Sequence, residues 1–150
     1  MIEYTAFFGS IQIFNFLKNK GAELKPSLWQ YAIHGKNPEL IHLLEDNHVK
    51  PTVTEEDSYI ECFKKSIKCH HNEIADYFFI NYLQREYENS SETVSQFLEY
   101  YNFAFLHKEH INETSFCHLC HYDYYSLLND LLTSGDIDIN INTIQNHFFQ

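Results

Sequence analysis

Two apolar patterns alternate along this chain at a nearly constant spacing. The first pattern places apolar or small residues at positions i, i+3 and i+4, and the second places them at i, i+1 and i+4; each marks one face of an α-helix. The first begins at Ile2, Leu28, Phe63 and Phe116, and the second at Ile13, Leu40, Ile74 and Leu127. The second pattern follows the first by 11 residues in three copies and by 12 in the copy that begins at Leu28. Unrelated helices would not share this spacing, so it predicts four copies of one helix-turn-helix unit.

The residues between the two patterns fit helix-ending turns. Gly9 and Gly35 stand where the first helix would end in a left-handed residue, a conformation that glycine adopts without steric cost. His70 and Asp123 occupy the same place in the later copies. We attribute the spacing of 12 in the second copy to one extra turn residue, and we expect Pro38 in the first turn of the next helix.

Composition supports a helical chain and argues against nucleic acid as the ligand. The 150 residues include 13 Phe and 11 Tyr but only 4 Gly and 3 Pro, which favours helices packed on helices over a turn-rich β fold. The formal net charge is −11, whereas phosphate binding requires a basic face. The densest basic group, Lys64, Lys65 and Lys68, covers about one helical turn and is typical of a solvated surface.

Neither a membrane span nor an export signal is predicted. No apolar run approaches the roughly 18 residues that a transmembrane helix needs. Glu3 stands where a signal peptide would carry basic residues. We therefore expect an intracellular, cytoplasmic protein whose four cysteines stay reduced.

The cysteines and histidines offer one chemical alternative, a metal or redox site. Residues 117–121 read Cys-His-Leu-Cys-His, the spacing used for covalent haem attachment, but nothing nominates a second axial ligand. Zinc is the stronger form of this alternative, since Cys117 and Cys120 share a helix face and Cys69 precedes two histidines. The repeat, however, predicts that Cys69 points outward and Cys120 inward, where Ala6 stands in the first copy. We therefore predict no metal ligand and no cofactor.

No set of residues predicts catalysis. The chain has no glycine-rich phosphate loop, and its serines fall at turn and helix positions that the repeat already explains. Its carboxylates show no pattern that would hold two of them in a common apolar cleft. We expect a protein that is not an enzyme.

Several segments carry a family resemblance. Residues 6–10 and 16–22 resemble an ankyrin repeat, with a small-residue first helix, a glycine turn and a closing Gly-Ala. Residues 39–44, 72–75 and 135–140 resemble parts of the same repeat, and residues 29–35 and 67–72 are similar to the large, divergent ankyrin families of trichomonad protists. The Thr-Pro-Leu-His tetrapeptide typical of ankyrin repeats is missing from every copy.

The resemblance implies an all-α, ankyrin-type solenoid that forms one domain over residues 1–150. Residues 83–112 fit the repeat poorly and form either a degenerate repeat with a truncated second segment or a plain helical insertion. The predicted repeats cover residues 1–24, 25–50, 59–82, a degenerate 91–110 and 115–140, with the start of another at 143–150.

Both ends of the predicted stack lack a polar capping repeat. Met1 directly precedes the first apolar position, and Ile144 and Phe148 would begin a further helix. Solenoids need polar terminal repeats to stay soluble. We expect that the chain is part of a longer array, is truncated, or covers an apolar end by self-association.

As a function, the resemblance implies an interaction module or scaffold that binds another protein. In ankyrin proteins the two variable residues before the turn line the binding surface. Carried over copy by copy, the binding positions are Phe7, Phe8, Ile33, His34, Lys68, Cys69, His121 and Tyr122. Phe7 and Phe8 have a second interpretation, in which they pack against an upstream repeat.

Overall fold

The computed structural model describes residues 1–51, 58–83, 91–105 and 113–134. The chain divides into two compact units, Met1–Glu86 and Tyr87–Gln150. In all four described ranges the regular structure is helical and contains no strand, which confirms the predicted all-α class.

The first unit consists of helix pairs. Each pair has a first helix, a tight turn and a second helix, and the first helices contact one another in succession, α1 with α3 and α3 with α5. The pairs are α1 (Ile2–Phe7) with α2 (Ile11–Asn19), α3 (Leu28–His34) with α4 (Pro38–Asp46), and α5 (Ser58–Lys68) with α6 (Asn72–Phe78), which continues into a π-helical turn (Phe79–Leu83).

One backbone motif ends every first helix. In the first unit a single residue turns left-handed, namely Gly9 (φ 64°), Lys36 (φ 49°) and His70 (φ 56°). Each of their amides donates to the carbonyl three residues back. After Gly9 and His70 the next amide reaches five residues back, from Ser10 to Thr5 in the first copy, which completes a Schellman cap.

The structure corrects the prediction for Gly35. This residue has φ −69° and is not left-handed, because helix α3 ends one residue later than expected and Lys36 takes the left-handed position. Counted from that position, the equivalent of Ile2 is Trp29 and not Leu28. The separation from Trp29 to Leu40 is 11 residues, so the second copy has no extra turn residue.

Gly35 is required for a different reason, the close approach of the neighbouring turn. A Cβ atom on Gly35 would clash with the carbonyl oxygen of Ala6 and lie 2.9 Å from that of Phe7. Asn37 connects the same two turns, since its Nδ2 donates to Gly9 O at 3.2 Å. Without a side chain at position 35, the end of α1 could contact the turn after α3 directly.

Asn37 also begins the second helix of its pair. Its Oδ1 accepts from the amides of Glu39 and Leu40, at 3.0 and 3.4 Å, and so caps α4. Pro38 is the first residue of α4, which confirms the prediction for this proline.

The core of the first unit centres on Trp29, which is fully buried. Its indole Nε1 donates to Val49 O at 2.7 Å, and its ring lies against those of Tyr59 and Phe78. Truncating a buried aromatic residue of this kind typically costs about 3–5 kcal/mol. The prediction that Ile13 lies in the core was wrong, because this residue is largely exposed, whereas Phe14, the next member of the same pattern, is fully buried as predicted.

The second unit contains α7 (Ser91–Glu99), a 3₁₀ turn (Phe103–Phe105), α8 (Glu113–His121) and α9 (Tyr125–Ser134). Its core is built on three leucines, and the Oη of Tyr124 donates to a backbone carbonyl at 2.6 Å. Tyr101 and Asp123 adopt the left-handed conformation after α7 and α8. The core leucines are Leu98, Leu119 and Leu131, and the carbonyl belongs to Leu98.

The described helices cover only part of the predicted repeats. The segments 1–24, 25–50 and 59–82 fall in the first unit, and 91–110 and 115–140 in the second. The predicted closing motif at 135–140 and the further start at 143–150 lie outside the described residues. Within those residues, no helix combines the length and the apolar character needed to cross a lipid bilayer.

Substitutions at Gly35 and Lys36 are expected to change stability in opposite directions. Gly35→Ala forces the first two turns apart, and we expect the free energy of unfolding to fall by at least about 2 kcal/mol. Lys36→Gly relieves a left-handed conformation that costs an L-residue about 1–2 kcal/mol, so it should raise the value by about 0.5–1 kcal/mol. Urea denaturation followed by circular dichroism measures both. A neutral Gly35→Ala would contradict the close approach.

Candidate functional site

Equivalent positions in the three pairs of the first unit form a row. Phe7, His34 and Lys68 each stand two residues before the left-handed residue of their turn. The rings of Phe7 and His34 stack, with centroids 4.1 Å apart and planes 19° from parallel. His71 Nε2 lies 3.3 Å from His34 O, so the second and third pairs are also joined at this edge. We call these three residues the pre-turn row.

Ile33 does not lie on this surface. It is fully buried, and so the structure corrects its assignment as a binding residue. The cause is the end of α3 at His34: with Lys36 left-handed, the two residues before the turn are His34 and Gly35. His34 and Lys68 are exposed, Phe7 and Cys69 are half-buried.

The remaining predicted pair belongs to the second unit. His121 is exposed, Tyr122 is half-buried, and their rings meet edge to face at 4.8 Å. Tyr122 also packs against the leucine core of its unit. This contact gives Tyr122 a structural role there.

An open cleft of about 270 Å³ lies on the first helices of the first unit. We call it the aromatic cleft; its lining residues are Glu3, Tyr4, Phe7, Phe8 and Tyr31. Two of its aromatic side chains are largely exposed, Tyr4 at 72% and Phe8 at 71%. Large apolar side chains exposed together mark a surface that can bind a ligand.

The walls of the cleft are held unequally. Phe7 is fixed by its stack on His34, and Phe8 stands edge-on to Phe7, with centroids 5.0 Å apart and planes 80° from parallel. The Oγ of Ser27 donates to Glu3 Oε1 at 3.3 Å, which links this carboxylate to the segment before α3. The cleft therefore combines a ring fixed by stacking, further rings that are largely or partly exposed, and a charged group.

Sequence reasoning found two of the five cleft residues. Tyr4 precedes Phe7 and Phe8 by three and four residues and Tyr31 precedes His34 by three, the spacings that place side chains on one helix face. Tyr31 was assigned to the apolar pattern, yet it is 36% exposed. The helical spacing from Phe8 back to Tyr4 was the signal that could have extended the prediction.

A second aromatic group surrounds the carboxylate of Glu45. Tyr77 Oη donates to both of its oxygens, at 2.8 and 2.9 Å, and Tyr82 Oη donates to Oε1 at 2.7 Å. His42 Nδ1 lies 3.0 Å from Oε2. Tyr59 stacks on Tyr82 with ring centroids 3.7 Å apart. Sequence reasoning missed this cluster, since its members come from three separate segments.

The electrostatics of the Glu45 cluster fit a structural role. Burial, together with the hydrogen bonds to Glu45 and its negative charge, raises the pKa of Tyr77 and Tyr82 above the usual value of 10.0. A general acid or base works best with a pKa near the ambient pH. These phenols are moved away from that range, so they act as neutral donors that join α4 to α6 and the π-helical turn.

The four cysteines are free thiols and are divided between the two units. The Cys62 thiol is buried, and its desolvation raises its pKa to about 12. Cys69 lies in the first unit and Cys117 and Cys120 in the second. Among the residues that the structure describes, no group of three or more His, Cys, Asp or Glu side chains could hold a metal ion.

The structure also corrects the prediction that Cys120 is buried. Cys120 is exposed, whereas its counterpart Ala6 is fully buried. In the first copy this side of the helix packs against the following turn, at Gly35.

The chain matches no protein-family model, no curated protein and no solved structure.

Phe7 and Phe8 are expected to contribute differently to stability. Phe7→Ala removes the stack on His34 and a half-buried ring, so the free energy of unfolding should fall by about 1–2 kcal/mol. Phe8→Ala removes a side chain that is mostly in water and should change it by less than about 0.5 kcal/mol. Chemical denaturation of both variants gives the comparison. Equal losses would mean that Phe8 is packed as tightly as Phe7.

Stability should fall above about pH 10 because of the Glu45 cluster. The raised pKa values mean that folded Tyr77 and Tyr82 stay protonated while the unfolded tyrosines ionise near pH 10. The stabilisation is therefore complete below pH 10 and is lost as the pH rises above it. Urea midpoints measured from pH 8 to 11.5 should fall more steeply for the native chain than for Tyr82→Phe. Tyr125→Phe, at a 74% exposed tyrosine, is the control and should keep the native slope.

Proposed function

We propose that this chain is a divergent ankyrin-type repeat protein that binds another protein through the pre-turn row and the aromatic cleft. The observation that carries the proposal is the cleft itself, in which exposed aromatic rings project from packed helices. The residues of the pre-turn row extend this surface across successive pairs. In our proposal the chain acts by binding and carries out no reaction.

The helix pairs support the ankyrin-type assignment. Successive first helices contact one another, and each pair turns through a left-handed residue at the same position. Pairs that bury their apolar faces against their neighbours, as ankyrin repeats do, leave turns and helix ends free for binding. The glycine turn at Gly9 and the Gly21-Ala22 closure match the features on which the resemblance rests.

The aromatic cleft supports a protein as the ligand. Aromatic residues are enriched among the side chains that dominate the energy of protein interfaces. Phe7 is held by His34 before any partner binds, so less conformational entropy is lost on association. The excess of acidic residues supports a protein partner over nucleic acid.

The same proposal places the chain in the cytoplasm and allows self-association as an alternative use of its apolar surface. Free thiols in all four cysteines fit a reducing compartment. Ile13 and Phe16 form an exposed apolar pair on α2, one helical turn apart. Analytical ultracentrifugation of the native chain and of Phe16→Ser measures the mass of each species in solution. A native dimer that becomes a monomer on this substitution would indicate an interface between two copies, whereas monomers in both cases would leave this surface to a different partner.

A selection from a random peptide library tests the proposed surface. Peptides selected on the native chain should lose at least about tenfold in affinity for the Tyr4→Ser/Phe8→Ser variant, because truncation of anchor residues typically costs more than 1–2 kcal/mol. Fluorescence polarisation with labelled peptide measures the change.

Tyr125→Ser is the matched control for this experiment. Tyr125 is as exposed as Tyr4 and Phe8 but belongs to the second unit. Its substitution should leave the affinity unchanged. Selected peptides that bind the Tyr4→Ser/Phe8→Ser variant as tightly as the native chain would refute the aromatic cleft as the binding surface.

A further inference from the structure

The aromatic cleft is lined by two kinds of group that attract cations. Its aromatic side chains are Tyr4, Phe7, Phe8 and Tyr31, and its one acidic side chain is Glu3. The face of an aromatic ring carries partial negative charge and attracts cations, and a carboxylate adds a full negative charge. The lining therefore favours a cation that also has an apolar surface.

The number of hydrogen-bond acceptors narrows the choice of cation. A lysine ammonium brings three N–H donors that must find acceptors once water is removed. Glu3 is the one carboxylate in the lining, and its Oε1 accepts from Ser27. The phenol oxygens of Tyr4 and Tyr31 are neutral acceptors, and the rest of the lining offers ring faces without lone pairs. A cation whose N–H groups are replaced by methyl groups loses few hydrogen bonds on entering and gains contact with the rings.

The geometry of the rings suits a compact, rounded group. Phe7 and Phe8 meet edge to face with planes 80° from parallel, so the pair presents ring surfaces in two nearly perpendicular directions. The Phe7 wall is fixed by the stack on His34. With Tyr4 and Tyr31 on the same cleft, a methylated ammonium could contact several rings at once.

The same unit already contains a cation over an aromatic ring. Lys20 Nζ lies 5.6 Å from the centroid of Phe16, within the range of a cation–π contact. That contact uses one exposed ring, whereas the cleft offers four rings and a carboxylate to a group from outside the chain.

We propose that the aromatic cleft binds the methylated ammonium group of a lysine side chain on the partner protein. The proposal rests on the proposed function and adds the chemistry of the anchor that the partner inserts. Glu3 supplies long-range attraction, and the four rings supply the contacts that discriminate a methylated ammonium from an unmodified one.

Three forms of one short peptide test the proposal on the full chain. The peptide Gly-Ala-Lys-Ala-Gly is made with lysine, with trimethyl-lysine, and with the neutral isostere in which carbon replaces the charged nitrogen. Binding is followed by the chemical shifts of the aromatic side chains in NMR titrations. We expect the trimethyl-lysine peptide to bind about tenfold more tightly than both other forms.

Two substitutions separate the contributions of ring faces and charge. Tyr4→Leu/Phe8→Leu keeps apolar side chains but removes two π faces, and it should abolish the preference for trimethyl-lysine over the neutral isostere. Glu3→Gln should lower the affinity for the trimethyl-lysine peptide several-fold, while part of the preference over the neutral isostere remains. Tyr125→Leu is the control and should change neither value.

The outcomes distinguish failure of this inference from failure of the proposed function. Equal binding of the trimethyl-lysine peptide and its neutral isostere would overturn the cation site, as would the absence of binding at millimolar peptide. Tighter binding of tetramethylammonium than of the peptide would assign the cleft to a free quaternary ammonium and also overturn the proposal. In each of these cases the library-selected peptides still show whether the cleft binds proteins.

Discussion

The contact between the first two turns determines the arrangement of the surrounding helices. The carbonyl oxygens of Ala6 and Phe7 lie against Gly35, and Asn37 donates across the same gap to Gly9. This approach sets how closely α1 lies to α3 and therefore where Phe7 meets His34. The position of Phe7, the fixed ring of the aromatic cleft, therefore depends on a backbone contact that any side chain at position 35 would prevent.

The sequence predicted the helical class and the paired helices, because apolar periodicity reports directly on the buried face of a helix. The prediction failed at the turn after α3, where two adjacent residues could each have adopted the left-handed conformation. Gly35 and Lys36 are adjacent, and intrinsic preference gives the left-handed position to glycine. The neighbouring turn packs so closely against position 35 that a Cβ atom would clash there. Gly35 therefore occupies the packed position, and Lys36 adopts the strained left-handed conformation. The misplacement of Ile33 follows from that same shift of one residue.

Other features depended on contacts between segments that periodicity does not report. Cys120 fits the apolar pattern of α8 as well as Ala6 fits that of α1, yet a helix position is buried only if another element covers it. The Glu45 cluster draws one carboxylate from α4 and tyrosines from α6 and the π-helical turn. Spacing within one helix predicts none of these contacts. The sequence predicts two of the five cleft residues, Phe7 and Phe8, because they stand beside a recognisable turn, whereas Tyr31 satisfies the apolar pattern that predicts core positions.

The two aromatic groups of the first unit differ in how far their polar groups and rings are satisfied by contacts within the chain. Around Glu45, phenol hydroxyls donate to the carboxylate, rings stack on one another, and the negative charge is met within the chain. In the aromatic cleft, Tyr4 and Phe8 remain largely in water, and within the described residues the carboxylate of Glu3 accepts one long hydrogen bond, from Ser27. Tyrosine and glutamate thus occur in both places, and their partners within the chain decide their roles. A charge and ring faces that the fold leaves without strong partners are the groups that a ligand can satisfy, which is why the cleft, and not the Glu45 cluster, carries the proposed function.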